Sequence, residues 1–219
     1  VGGDHAVVDR AKHCAGSALN GALSVAHTSA MMCVSKLPKD WSMQRVPFAR
    51  FEPKLLARLE ALWGQPVNLY KALGNHPAIV AAWTEFAQTI RADSITPRAL
   101  RELMILRSGQ LQRSDYEWAQ HLKMARKAGV REAQINALAH WRDSTEFDAR
   151  ERAALEITEA VTAGEVSDAV WNTAATLFND AEMVELSLTA AFYCMVGRML
   201  NAMRVEMDAD IIDHHPRLP

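Results

Sequence analysis

A chain of 219 residues that is 49% hydrophobic and 23% charged is long enough to bury one substantial core. Its formal net charge of −2 gives no electrostatic drive towards nucleic acid or an anionic membrane, so neither is expected as a partner. No uninterrupted apolar run reaches the ~18 residues of a membrane span. Cys14, Cys33 and Cys194 are widely spaced and odd in number. They form neither a disulfide framework nor a zinc site and suit a reducing, cytoplasmic setting.

Residues 1–42 differ from the rest. They are rich in Ala, Ser, Gly and His, and weakly periodic. A secretory signal would need a basic start, yet Asp4 and Asp9 stand there, and His27 interrupts the apolar piece Ala18 to Val34. Met43 followed by Gln-Arg-Val-Pro reads as a natural start. Residues 1–42 are therefore expected to be a non-native or poorly ordered extension, and residues 43–219 the folded domain.

Helical periodicity then runs along the chain. Leu55, Leu56, Leu59 and Leu62 predict a helix from Pro53 to Trp63, stopped by Gly64. A short helix follows over Asn68 to Leu73. Pro77 opens another, with Ile79, Val80, Trp83, Phe86 and Ile90 at helical spacing. Thr96 is a good N-cap for the next, with Pro97 in the first helical position. Its run Leu103-Met104-Ile105-Leu106 is apolar around nearly the whole circumference, which predicts a buried helix. A break is expected from Ser108 to Arg113. Ser114 then caps a second central helix that Gly129 ends, so the pair should form an antiparallel hairpin.

Beyond it, Ile135 and Leu138 mark a short helix from Arg131 to His140. Asp148 with Glu151 makes a capping box for Ala149 to Ala163, Ser167 caps Asp168 to Phe178, and Asn179 with Glu182 makes a second box. The last helix, Ala181 to about Met203, is almost wholly apolar, as expected of a central helix or a subunit interface. The tail, with His214-His215, reads as irregular and solvated. Strand alternation is nowhere convincing, so the fold class is all-α.

Chemistry concentrates on the central pair. Glu102 lies one turn before Ile105 and Leu106, on a buried helix, where a carboxylate needs a partner; Arg98 and Arg107 are the nearby cations. Glu117 and His121 are four apart, one above the other on the next helix, beside the stripe Trp118, Leu122 and Ala125. Two carboxylates and an imidazole make a candidate acid/base site. The plainer reading is that Ser114-x-x-Glu117 is only a capping box, with Glu117 bonded to the Ser114 N–H, and that His121 is a core histidine satisfied by a carbonyl. The two readings can coexist. His121 is expected to feel a helix N-terminus, which disfavours its cation, and Glu117, which favours it. An i, i+4 Glu/His pair can bind a metal, but with no second such pair none is expected. Tyr193, Arg198 and Asn201 on the last helix are weaker candidates.

These residues resemble the carboxymuconolactone decarboxylase/alkylhydroperoxidase D-like superfamily. The matching text is Arg-Glu-Leu-Met-Ile-Leu-Arg at Arg101 to Arg107 and Tyr-Glu-Trp-Ala-Gln-His at Tyr116 to His121. Phe147-Asp-Ala-Arg-Glu-Arg-Ala-Ala-Leu and the segment from Glu185-Leu to Leu200-Asn201-Ala202 add to it. The resemblance implies a compact bundle of about six to eight helices and a homo-oligomer, trimer or hexamer. In the peroxidase branch a glutamate precedes Cys-x-x-Cys and a histidine. Here Glu102 and His121 hold the outer positions, and Ser114 and Glu117 stand where the cysteines would. Both sulfurs are missing, and thiol peroxidase chemistry needs a thiolate and a resolving thiol. Acid/base chemistry remains.

The expected function is a decarboxylase or related acid/base enzyme on a small organic acid or lactone, with no cofactor. His121 would be proton donor and base, Glu117 its orienting group, and Glu102 a polarising group. Tyr116 would be an oxyanion donor, with Ser114 beside it in the substrate site. The alternatives are a peroxide-reducing protein relying on Cys194 and a non-catalytic oligomeric binding protein.

Overall fold

The computed structural model describes residues 44–211. The expected extension over residues 1–42 and the His214-His215 tail lie outside them. Nine α-helices and one short 3-10 turn carry the described residues, with no strand among them, so the fold is all-α. The helices are α1 (Pro53–Trp63), α2 (Asn68–Leu73), α3 (Pro77–Ala92), α4 (Arg98–Gln112) and α5 (Asp115–Ala128). They continue with α6 (Glu132–Ala137), α7 (Ala149–Ala163), α8 (Asp168–Ala175) and α9 (Asp180–Met203). Helices α2 and α6 are short, six residues each.

Helix α4 is the axis. Every residue from 100 to 110 is buried, as the all-round apolar pattern requires. It packs on α5, α7 and α9, so three layers of core meet at it. Leu103 and Leu106 join Trp118 and Leu122 of α5; Leu100 and Met104 join Ile157 of α7 and Leu186 of α9; Ile105 joins Phe192 and Val196 of α9.

The ends of α4 differ from the expectation. The helix begins at Arg98, with Pro97 in the cap position rather than Thr96. Glu185 of α9 takes the Thr96 hydroxyl and accepts from the N–H of Ile95 at 2.7 Å and of Thr96 at 3.0 Å. A distant carboxylate thus replaces the local cap. At the other end the chain does not break at Ser108. Ser108 and Gln110 are each 1% exposed, and burial carries the helix through to Gln112. Arg113, in the left-handed conformation at φ 51°, makes the whole turn, and the Ser114 N–H closes it on the Gly109 carbonyl at 2.9 Å.

Helix α5 therefore returns antiparallel along α4. Gly109 allows this: a Cβ there would stand 3.4 Å from the Trp118 backbone nitrogen. Ser114 Oγ accepts from the Glu117 N–H, and Gly129 ends α5 at φ 94° with its N–H and that of Val130 returned to the last turn. The capping boxes of α7 and α9 form as their sequences predict. Helix α8 stops at Ala175, short of Phe178.

Helix α9 is long and apolar enough to cross a membrane, although Glu182, Glu185 and Arg198 break its apolar run. More than half of that stretch is buried against α4 and α7, which is the signature of a core helix.

Candidate functional site

Because α5 runs back along α4, the middle of each helix faces the other. Glu102, fully buried, places Oε2 2.8 Å from Nδ1 of His121, itself 2% exposed. The other oxygen of Glu102 pairs with the Arg98 guanidinium one turn earlier on α4. Glu117, 4% exposed, sets Oε2 3.6 Å from Nε2 of His121. That is beyond hydrogen-bond length. The order is Arg98, Glu102, His121, Glu117: a half-buried guanidinium, then a carboxylate, an imidazole and a carboxyl that are all buried.

The two glutamates are driven in opposite directions. Burial pushes the Glu102 carboxyl up, but the charge and hydrogen bond of His121, with Arg98 behind, outweigh it and hold Glu102 below the ordinary value. Burial also pushes Glu117 up, and there it wins over the opposing His121 and Arg91, with Glu102 adding to the rise. Glu102 is thus the ionised member and Glu117 the one favoured as a neutral acid. Glu117 Oε2 finds no hydrogen-bond partner among the described side chains and backbone.

The capping reading of Glu117 is corrected on one point. The Ser114 N–H belongs to the Gly109 carbonyl, so no box closes, and the Glu117 side chain is released towards His121. Ser114 itself is fully buried and acts as the cap. It is not on the cavity wall, which removes it from the substrate-binding set. His121 sits well inside α5, beyond the first turn over which a helix N-terminus acts, so the expected dipole effect falls away.

A cavity of about 470 Å³ opens beside Glu117 and His121. Its wall also carries Arg91 of α3, Arg98 of α4, and Tyr116 and Gln120 of α5. Tyr116 lines it, but its hydroxyl is committed. It donates to Asp208 Oδ2 at 2.5 Å and accepts from the Leu69 N–H at 3.1 Å. Burial and the Asp208 bond both push its pKa up. With its single proton given to Asp208, Tyr116 is a wall residue and not the expected oxyanion donor. Asp208 also accepts from Gln120 at 2.6 Å and from the Asn68 N–H at 2.8 Å, so the segment after α9 ties α2 to α5.

Of the weaker candidates, Tyr193 reaches the site. Its ring meets the His121 ring edge to face at 4.9 Å, and its hydroxyl accepts from Arg91 Nε at 3.4 Å. Arg198 and Asn201 do not: they bond Gln112 at the end of α4. Arg107 pairs with Glu159 at 2.7 Å, leaving Arg98 as the partner of Glu102. Cys194 is buried, receives the Gln112 amide at 3.1 Å and is not on the cavity wall. Among the described residues, no three of His, Cys, Asp or Glu are grouped as a metal ion would need. Sequence reasoning missed Arg91 and Asp208. Asp208 lies far along the chain from the motif, Arg91 lies on the preceding helix, and no local spacing pointed to either.

This arrangement is an all-α bundle with two carboxyls and an imidazole brought together between its central helices. Residues 77–160 match the carboxymuconolactone decarboxylase family. Over that stretch the chain is similar to that family.

Three solved structures illustrate the fold. A peroxidase-related protein from Silicibacter sp. TM1040 superposes with a TM-score of 0.67 at 19% identity, over 81% of this chain and 97% of its own. An alkylhydroperoxidase AhpD core protein from Ralstonia eutropha JMP134 gives 0.65 at 16% identity, over 76% and 93%. The debrominase Bmp8 in complex with 2,3,4-tribromopyrrole gives 0.63 at 18% identity, over 72% and 85%. No curated protein matches the chain in sequence.

Proposed function

We propose that this chain is an acid/base enzyme that decarboxylates, or moves a proton on, a small organic acid or lactone. The observation that carries the reading is the series Arg98–Glu102–His121–Glu117, buried from Glu102 onward and ending at a cavity, with opposite shifts in proton affinity on its two carboxyls. Pairs of titratable groups pushed apart in this way mark acid and base assignments. A buried Glu117 oxygen without a partner calls for one, and a substrate in the cavity supplies it.

Relative to the sequence expectation, the orienting role passes from Glu117 to Glu102 and the proton-donor role from His121 to Glu117. Glu102, kept ionised by Arg98, accepts Nδ1–H and so fixes the imidazole with its Nε2 lone pair towards Glu117 and the cavity. Glu117 is the acid. For a lactone with a ring carbonyl conjugated to the departing group, the bond to the carboxylate carbon breaks. Its electron pair passes into the carbonyl, carbon dioxide leaves, and the dienolate takes the Glu117 proton on carbon. His121, whose Nε2 stands 3.6 Å from Glu117, then relays the replacement proton from solvent to Glu117. For a proton shift, His121 Nε2 removes one proton and Glu117 returns another.

Helix α9 also exposes Val184 (58%), Leu188 (44%) and Met195 (46%) on one face, an apolar stripe suited to a homo-oligomer, trimer or hexamer, as the family implies. A cytoplasmic location accompanies this reading.

The test is a turnover screen against carboxylated lactones and alkyl hydroperoxides, run beside His121→Gln. The expected result is lactone turnover that falls about 10²–10⁴-fold in the variant. Lactone turnover unchanged in His121→Gln overturns the mechanism. Peroxide turnover abolished by Cys194→Ser would instead favour the thiol reading.

A further inference from the structure

The central helices supply the acid/base line, but the cavity takes part of its charge from α3. Arg91 and Arg98 both stand on the wall, with Glu117 as its carboxyl. The wall therefore carries formal charge +1 if Glu117 is ionised, the difference between two guanidiniums and one carboxylate, and more if it is protonated. Arg98 is engaged with Glu102. Arg91 is held through Nε to the Tyr193 hydroxyl at 3.4 Å, and its backbone carbonyl accepts from Arg98 at 3.5 Å. Tyr193 in turn packs its ring against His121. Arg91 is thus fixed relative to the imidazole through one intervening side chain. A guanidinium presents its N–H groups in a planar fork that matches a carboxylate, and it does not lose its proton.

We propose that Arg91 is the carboxylate receptor of this cavity and the residue that selects substrate charge. The inference rests on the acid/base reading of the same site and deepens it. It also says which carboxylate is held. A guanidinium stabilises an ionised carboxylate most strongly before the bond to carbon breaks, when the charge is still on the oxygens. Holding the departing group there would stabilise the ground state and oppose its loss. The carboxylate on Arg91 is therefore a handle that the product keeps. The substrate class is either a dicarboxylate, which loses its other carboxyl, or a monocarboxylate that undergoes proton transfer. Leu69 and Met124 complete an apolar slot beside the handle, wide enough for a small ring in about 470 Å³.

The test uses benzoate and its neutral counterpart benzamide as probes, titrated calorimetrically into the native protein, Arg91→Gln, Arg91→Lys and His121→Gln. Imidazole NMR signals are followed in parallel, with His121 assigned from His121→Gln. Native protein should bind benzoate at least about tenfold more tightly than benzamide, and benzoate should move the His121 signals. Arg91→Gln should lose about 10–100-fold in benzoate affinity, with benzamide affinity unchanged, and Arg91→Lys should fall between. His121→Gln should still bind benzoate. Equal binding of the two probes by the native protein, no binding of either, or benzoate affinity indifferent to Arg91→Gln would each overturn the proposal. The native comparison decides even if neither Arg91 variant folds. If His121→Gln keeps full turnover while Arg91-dependent binding persists, the catalytic reading fails and the receptor assignment stands.

Discussion

Glu102 and Glu117 are both glutamates, both buried, and both within reach of one imidazole, yet they hold their protons oppositely. The difference is the hydrogen bond that only Glu102 shares with His121, and behind it Arg98. Arg98 stands against Glu102, while Glu117 has only His121 and the more indirect Arg91 to set against burial. This fixes the sign of two stability effects. The Glu117 pKa is raised above the ordinary 4.5, so its contribution is fully present below that value and is lost as pH rises through the folded-state pKa. Glu117→Gln keeps the neutral shape and escapes that loss. Its melting temperature should exceed the native one at pH 7 by about 2–4 °C for each kcal/mol relieved, and the gap should close towards pH 4. The Glu102 pKa is lowered, so its contribution is present above 4.5 and disappears as pH falls through the folded-state pKa. Glu102→Gln should therefore melt lower than native at pH 7, with the deficit shrinking on acidification. Thermal melts across pH 4–8 check both signs, and parallel behaviour of the two variants would contradict the assignment.

At the scale of the element, the α4–α5 turn is what aims the site. Arg113 accepts a left-handed conformation, Ser114 gives its N–H to Gly109, and its hydroxyl caps the Glu117 N–H. The cap and the site are therefore separable. Ser114→Ala should cost about 1 kcal/mol of stability through the lost cap while turnover per folded molecule holds. Denaturant melts beside an activity assay check this, and a variant that is stable but inactive would return Ser114 to the substrate site. The close passage of Gly197 past Gln112, where a Cβ would lie 3.0 Å from the Gln112 side chain, seats α9 against the same turn.

At the scale of the molecule, α9 serves two purposes with two faces. One face supplies Phe192, Tyr193 and Val196 to the core around α4. The other leaves Val184, Leu188 and Met195 in solvent. If copies of the chain meet there, Leu188→Glu places a charge in an apolar contact and should shift the assembly towards monomer by sedimentation velocity, with helicity by circular dichroism retained. A native protein that sediments as a monomer would remove the oligomer from the reading.

What the amino-acid order determined by itself is local: helix type, caps and the i, i+4 spacing that stacks Glu117 on His121. These follow from a 3.6-residue period and from side chains bonding their own backbone, interactions that close within a few residues. The all-α class and the Glu102, Glu117 and His121 set were legible on that basis. Tertiary structure alone decided in which direction each carboxyl's proton affinity moves, that Ser114 stays off the cavity wall, that the Tyr116 proton goes to Asp208, and that Arg91 faces the cavity. Each depends on atoms distant in sequence brought within a few ångströms. At that range burial and single charges outweigh intrinsic preference, and no spacing along the chain encodes them.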